Sequence, residues 1–347
     1  MFKNLIVYRI TGDWLPQVAT IEAALDKGRF VECGATQQKS AGWVEPRGEA
    51  HAPLIESVDG HWMLKLMTEQ RIVPGSVVKR RQEEIAAQME QQTGRKPGKK
   101  IMKELKEQAL QELLPMAFTK QGVTRVWIAP KQRLLMLDSG SQARAEEVVT
   151  LLIKSLDGLA LTLVQTEMSP AVAMAHWLGT GEGPYAFTID RECELKSADE
   201  VRSVVRYARH PLDTEEVKQH IVAGKMPTRV AMTWRDRVSF VLTESMQLKK
   251  LAFLDVVFEG AAAAQGKVDK GEAFDADAAI ATGELIQLIP DLLEALGGEQ
   301  LTGLGAPSGA AEAATPAKVQ AATQTAKEPA PDMALQAAGD EAPPWDV

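Results

Sequence analysis

An α+β fold is predicted for this chain of 347 residues by three observations. Strand-like runs come back on themselves, as a hairpin around residues 123–137 and a meander around residues 228–254. Two helix-like segments are separated only by a Gly/Pro break, which reads as an αα-hairpin. A long helical pattern then closes the globular part. With 45% hydrophobic residues the chain can bury a sizeable core.

Taken in order, "KNLIVYRI" alternates and is rich in β-formers, so it opens the fold as a strand, and "LPQVATIEAALDKG" follows as a helix stopped by Gly28. "HWMLKLMTEQRIVP" puts Trp62, Leu64 and Leu66 on one face of a half-buried strand ending at Pro74. "SVVKRRQEEIAAQMEQQ" is a helix with Ser76 as N-cap and Val78, Ile85 and Met89 on one stripe. Gly94, Pro97 and Gly98 separate it from "KKIMKELKEQALQELL". "VTRVWIAP" and "RLLMLDS" form a hairpin turning near Lys131 and Gln132, and "SQARAEEVVTLLIKSL" is a helix capped by Ser141. "SPAVAMAHWLG" is a short helix with Ser169 at the cap and Pro170 at its first position.

"YAFTIDRECELKS" and "EVRSVVRYAR" read as strands, and "DTEEVKQHIVAG" as a helix capped by Asp213 or Thr214 and stopped by Gly224. "TRVAMTW", "RVSFVLT" and "LKKLAFL" form the meander. "ADAAIATGELIQLIPDLLEALGG" is the closing helix, with a kink or break expected at Pro290. Beyond Leu304 the composition turns to Ala, Pro, Gly, Thr and Gln, which predicts a disordered tail. The chain thus divides into a central α+β region (1–74 and 123–165), a helical-hairpin tip (75–122), a base (166–299) and an acidic Ala/Pro-rich tail (300–347). No apolar run is long enough to span a membrane and the N-terminus lacks a signal-peptide pattern, so a cytoplasmic protein is expected.

The formal net charge of −8 hides an asymmetry. Arg71 to Lys106 holds ten Lys or Arg against four Glu, and Arg202 to Arg237 holds eight against four acids. Asp255 to Glu299 holds ten acids against two Lys, and the residues from 301 onward carry a further −4. A polyanion responds to such local potential rather than to the total.

Enzyme-like constellations are weak by comparison. Cys33 and Cys193 are far apart and lack metal or disulfide spacing, so both are expected as buried small hydrophobes. "GTGEGP" at 179–184 lacks the flanking strand and helix of a phosphate cradle and reads as a surface loop. Asp275 and Asp277 in "FDAD" fit helix capping better than a cation site, and "SVVK" at 76–79 lacks the partner motifs of a serine hydrolase. His51, His61, His176, His210 and His220 show no metal spacing. No catalytic residue, metal or cofactor is assigned.

The basic segments carry more. On a helix starting near Lys99, residues Lys99, Lys103 and Lys106 fall within about 60° of one another, opposite a stripe of Ile101, Leu105 and Ala109. A second cluster places Arg202 and Arg206 on one face of a strand, Arg209 and His210 at its end, and Lys225 and Arg229 on either side of the loop before the next strand. Two cationic surfaces without a base-reading motif suit phosphate-backbone binding. The rival readings are a solvated helix face with lysines paired to Glu104 and Glu107, a protein-interaction scaffold whose basic hairpin meets an acidic partner or the chain's own acidic helix, and a nuclease or NTPase.

Several strings resemble the recombination-associated protein RdgC family: "FKNLIVYRI", "GWVEP" (42–46), "IVPGSVVK" (72–79), "LLPMAF" (113–118), "EEVKQHIVAGK" (215–225) and "FDADAAIATGEL" (274–285). The resemblance runs through residues 1–299 in order. It implies a horseshoe-shaped α+β subunit whose tip and base each meet a symmetry mate, giving a homodimeric ring around duplex DNA; single-stranded DNA stays open as a second ligand. It further implies nucleoid association and restraint of RecA-driven strand exchange. Phe118 corresponds to an aromatic residue at a ring interface, a gate, with ordinary core as its alternative. Arg209, His210 and Lys225 match positions implicated in DNA contact, and Arg206, Arg229, Lys99, Lys103 and Lys106 complete the candidate set. Met116 departs from the basic residue seen there in relatives, and His210 is cationic only conditionally. The tail end "GDEAPPWDV" is faintly similar to the tips of single-strand binding proteins without their terminal Phe; it reads as a nucleic acid mimic or an inert extension.

Overall fold

The computed structural model describes residues 1–14, 16–262 and 270–300, with the side chains of 260–262 and 270 excluded. The expected disordered tail lies outside the described residues. Two antiparallel sheets organise the fold. The first contains β1 (Ile6–Thr11), β2 (Lys39–Val44), β3 (Ile55–Val58), β4 (His61–Ile72), β5 (Phe118–Ala129), β6 (Leu134–Leu137) and β7 (Ala160–Leu163), in the order β2-β4-β5-β6-β1-β7 with β3 paired to β4. The second contains β8 (Phe187–Ser197), β9 (Val204–Ala208), β10 (Lys225–Trp234), β11 (Val238–Thr243) and β12 (Leu248–Phe253), in the order β12-β11-β10-β8-β9. The helices are α1 (Val18–Asp26), α2 (Gly75–Thr93), α3 (Lys99–Leu113), α4 (Gln142–Ser155), α5 (Pro170–Thr180), α6 (Glu215–Val222), α7 (Asp255–Ala262) and α8 (Lys270–Ala295). The expected α+β class and the three-stranded meander are both present.

Side-chain alternation assigns the layers. Ile6, Tyr8, Leu64, Leu66, Val126 and Ile128 pack with α1 and α4 on one face of the first sheet. Val7, Met63, Trp127 and Met136 point the other way, into a larger cluster shared with α5, α8 and the inner face of the second sheet. All four residues of β6 are buried. The outer face of the second sheet carries Glu194, Arg206, Arg229 and Thr233 beside the small apolar pair Ala231 and Val241.

α2 and α3 form the expected hairpin, packed through Val78, Ile85, Leu105 and Ala109. Gly94 closes α2 with φ 70°, a left-handed conformation that favours glycine, and its N–H donates to Glu90 O at 2.8 Å. Arg81 of α2 pairs with Glu112 of α3 at 2.8 Å. β4 and β5 run as a long ribbon whose last pair, Ile72 with Phe118, lies where the chain leaves for the hairpin and returns through the short 3-10 turn Leu114–Met116.

Several local expectations are corrected. Ser76 lies inside α2, whose N-cap is Pro74. Ile101 is exposed, and Met102 packs against the hairpin core instead. Ser141 and Thr214 occupy N-cap positions without a side-chain cap bond, whereas Ser169 Oγ does accept from the Val172 N–H, at 3.4 Å. Of the kink or break expected at Pro290, the break is excluded: α8 continues through it, with Leu288, Ile289 and Leu292 anchoring both sides in the core. Asp275 caps nothing: it sits within α8 and pairs with Arg47 at 2.7 Å, while Arg47 also holds Glu56 at 3.0 Å. β2, β3 and β7 are additional strands that the sequence pattern did not single out. β2 hides behind the small residues of "KSAGWV"; a Cβ on Gly42 would come within 2.4 Å of the Phe30 backbone, so this close approach needs glycine. Cys33 and Cys193 are both buried and free, as expected, and burial pushes the Cys193 thiol up to about 12.

Candidate nucleic-acid interface

The base cluster is built around β8, which lies between β9 and β10. Alternation along "ECELKS" sends Cys193 and Leu195 inward and Glu194 to the outer face. The registers set Glu194 opposite Arg206 of β9 on one side and Arg229 of β10 on the other. Both guanidiniums meet the same oxygen: Arg206 Nε lies 2.5 Å and Arg229 Nη2 2.9 Å from Glu194 Oε2. Thr228 Oγ1 donates to the remaining Oε1 at 2.8 Å. Burial opposes charge on Glu194, but the bonds from Thr228, Arg206 and Arg229 outweigh it and hold its carboxyl below the usual range. The arginine side chains remain 73% and 44% exposed. The triad therefore presents one net positive charge with most of its N–H donors still free.

The neighbouring candidates group around α6. Arg209, exposed and at φ 56°, follows the end of β9. His210 Nδ1 donates to Pro211 O at 2.6 Å, and its ring centroid is 5.5 Å from that of Tyr207. Lys225 is the first residue of β10, and its ammonium donates to Nδ1 of His220 at 3.1 Å. Tyr207 donates to Glu216 at 2.9 Å; burial, then this bond, push its hydroxyl up to about 12. Two sequence expectations are corrected here. Arg202 is not on the strand but in the preceding turn at φ 49°, and Lys225 and Arg229 lie within β10 rather than on either side of a loop.

Lys99, Lys103 and Lys106 lie on a separate element, the exposed side of α3, as the helical spacing predicts. Among the described residues no carboxylate lies within 4.0 Å of their ammonium groups. Three of the α8 acids pair elsewhere, Asp275 with Arg47 at 2.7 Å, Glu284 with Arg237 at 2.6 Å and Asp291 with Arg235 at 2.8 Å. Arg71 was counted in the basic segment, but its guanidinium is internal to the ribbon end. It donates to the carbonyls of Gly34, Cys33, Ala117 and Leu114 at 3.0, 3.2, 3.1 and 3.4 Å.

This fastening presents an apolar patch. Phe118 is 89% exposed, Met116 75% and Ile72 47%. Phe118 is therefore not a core residue, and the core alternative is excluded. Sequence reasoning missed Glu194, Arg71 and His220. The outward period of Glu192, Glu194 and Lys196 was the available signal for Glu194, whereas Arg71 takes partners 37 or more residues away and His220, five residues from Lys225, carries no motif that marks the contact.

Known proteins agree with the strings that first suggested a relationship. A family model described as "Putative exonuclease, RdgC" matches residues 1–299. A recombination-associated protein RdgC from Dechloromonas aromatica is 48% identical over 301 residues, covering 86% of this chain and 98% of that protein. Proteins of the same name from Cupriavidus pinatubonensis and Herminiimonas arsenicoxydans are 45% and 44% identical, over 86% of this chain and 99% and 98% of theirs. With a model covering most of its length and relatives aligned almost end to end, the chain belongs to the RdgC family of recombination-associated proteins.

Proposed function

We propose that this protein binds double-stranded DNA without sequence preference and restrains recombination by occupying it. The observation that carries the reading is the cationic base formed by the exposed Arg206, Arg209 and Arg229 with the half-buried Lys225, on a chain whose net charge is −8. Its donors are suited to phosphate oxygens, and affinity would come from counterion release rather than base contacts. The lysines of α3 form a second surface that steers DNA toward the first. The exposed Phe118 patch supports a second copy docking there, so that a homodimer closes around the duplex and retains it by enclosure. Occupied DNA would be less open to a RecA filament, and the protein would work at the nucleoid. Among the described residues no helix is long and apolar enough to cross a membrane.

Fluorescence anisotropy against random duplexes at several salt concentrations tests the reading. Equal affinity for unrelated sequences, falling steeply with salt, is expected; no binding at low salt would overturn it. The description of the family model favours a second reading, exonucleolytic cleavage. End-labelled DNA incubated with the protein and Mg²⁺ or Mn²⁺ separates the two: stable binding without shortening supports the proposal, and nucleotide release supports the nuclease.

A further inference from the structure

We infer that Glu194 is a positioning residue that sets Arg206 and Arg229 as a two-guanidinium clamp for a single backbone phosphodiester. The inference rests on the DNA-binding reading above and specifies one phosphate site within it. Two arginines on the strands flanking β8, with no anion between them, would repel and sample many rotamers. Here Arg206 Nε and Arg229 Nη2 both reach Glu194 Oε2, at 2.5 and 2.9 Å, so they lie at most the sum of these distances, 5.4 Å, apart. One phosphate can span that gap with two of its oxygens.

Glu194 itself is a fixed post rather than a mobile counterion. It is 8% exposed, sits on the central of three paired strands, and has its other oxygen held by Thr228 Oγ1 at 2.8 Å. Pulling the arginines away would leave a buried carboxylate unpaired, which is costly. An incoming phosphate therefore joins the arginines instead of displacing Glu194. Each guanidinium has five N–H donors and spends one on Glu194, so four remain on each. Ordering two long side chains before binding removes an entropic cost at the moment of binding.

The sign of one substitution separates this from a simple charge effect. Glu194→Gln is nearly isosteric and removes a negative charge from a DNA-binding face, so charge alone would tighten binding. The clamp predicts the opposite: affinity for a fluorescein-labelled random duplex at low salt falls about five-fold, with a matching fall in the salt slope as phosphate contacts are lost. Arg206→Ala with Arg229→Ala weakens binding further, and Glu194→Gln has no added effect in that background. Thr228→Val, which loosens the carboxylate without removing it, gives about a two-fold loss in the same direction and carries the test if thermal melting shows that Glu194→Gln does not fold. Tighter binding by Glu194→Gln, or unchanged affinity in Thr228→Val, overturns the clamp. A double arginine variant that binds like wild type overturns it too while leaving DNA binding in place, whereas wild-type protein that binds no duplex defeats the underlying reading instead.

Discussion

Replacing Phe118 with Ala tests the proposed ring closure most directly. The side chain is 89% exposed at the first residue of β5, so its removal takes almost nothing from the core of the free subunit. The melting temperature of the variant should stay within about a degree of wild type, because surface changes of this kind stay within about 0.5 kcal/mol. Burying a phenylalanine in an interface contributes on the order of 2 kcal/mol, and a two-fold symmetric contact loses two at once. The contact therefore weakens by about 4 kcal/mol, close to a thousand-fold in its closing equilibrium. The assay compares release from closed circular and linear duplex after challenge with excess competitor. Lifetime on circular DNA should fall at least ten-fold, while association with short linear duplex stays within about two-fold, since the phosphate-binding cations are untouched. A melting temperature several degrees lower would mean that Phe118 supports the fold. Equal loss of lifetime on the two topologies would mean that it closes nothing around DNA.

Replacing Arg209, Lys225 and Arg229 with Ala should weaken binding equally on all duplex sequences and flatten the plot of log K against log salt by about 0.9 per lost phosphate contact; an unchanged slope removes this surface from the DNA path. Changing Lys99, Lys103 and Lys106 to Glu should slow association at low ionic strength, measured by stopped-flow fluorescence, and normal kinetics would leave them as a solvated helix face. The segment from residue 301 onward carries −4 and lies beyond the family match, and its carboxylates would compete with DNA phosphates for the cationic surfaces. Deleting Ala306 to Val347 should tighten binding several-fold at low salt, with the difference shrinking as salt rises, and equal affinities for the two proteins would reject that competition.

The sequence by itself determined the features that depend on near neighbours. Apolar spacing located the helical hairpin, the three-stranded meander and the lysine face of α3, since residues three or four apart share a helix face wherever the helix lies. The strings at 72–79, 113–118 and 215–225 carried the family, because a motif is read along the chain. Tertiary structure decided which cations remain available. Arg71 and Arg229 look alike in sequence, yet Arg71 is consumed by four backbone carbonyls while Arg229 stays partly exposed beside Glu194. It also decided that Phe118 faces solvent, that α8 runs through Pro290, and that "KSAGWV" is a strand. For the arginines the deciding partner lies far away in sequence: Glu194 is 12 residues from Arg206, and Arg71 is 46 from Ala117. Hydrogen bonds and packing between such partners form only when strands pair, and their energies outweigh the propensities of the residues they join.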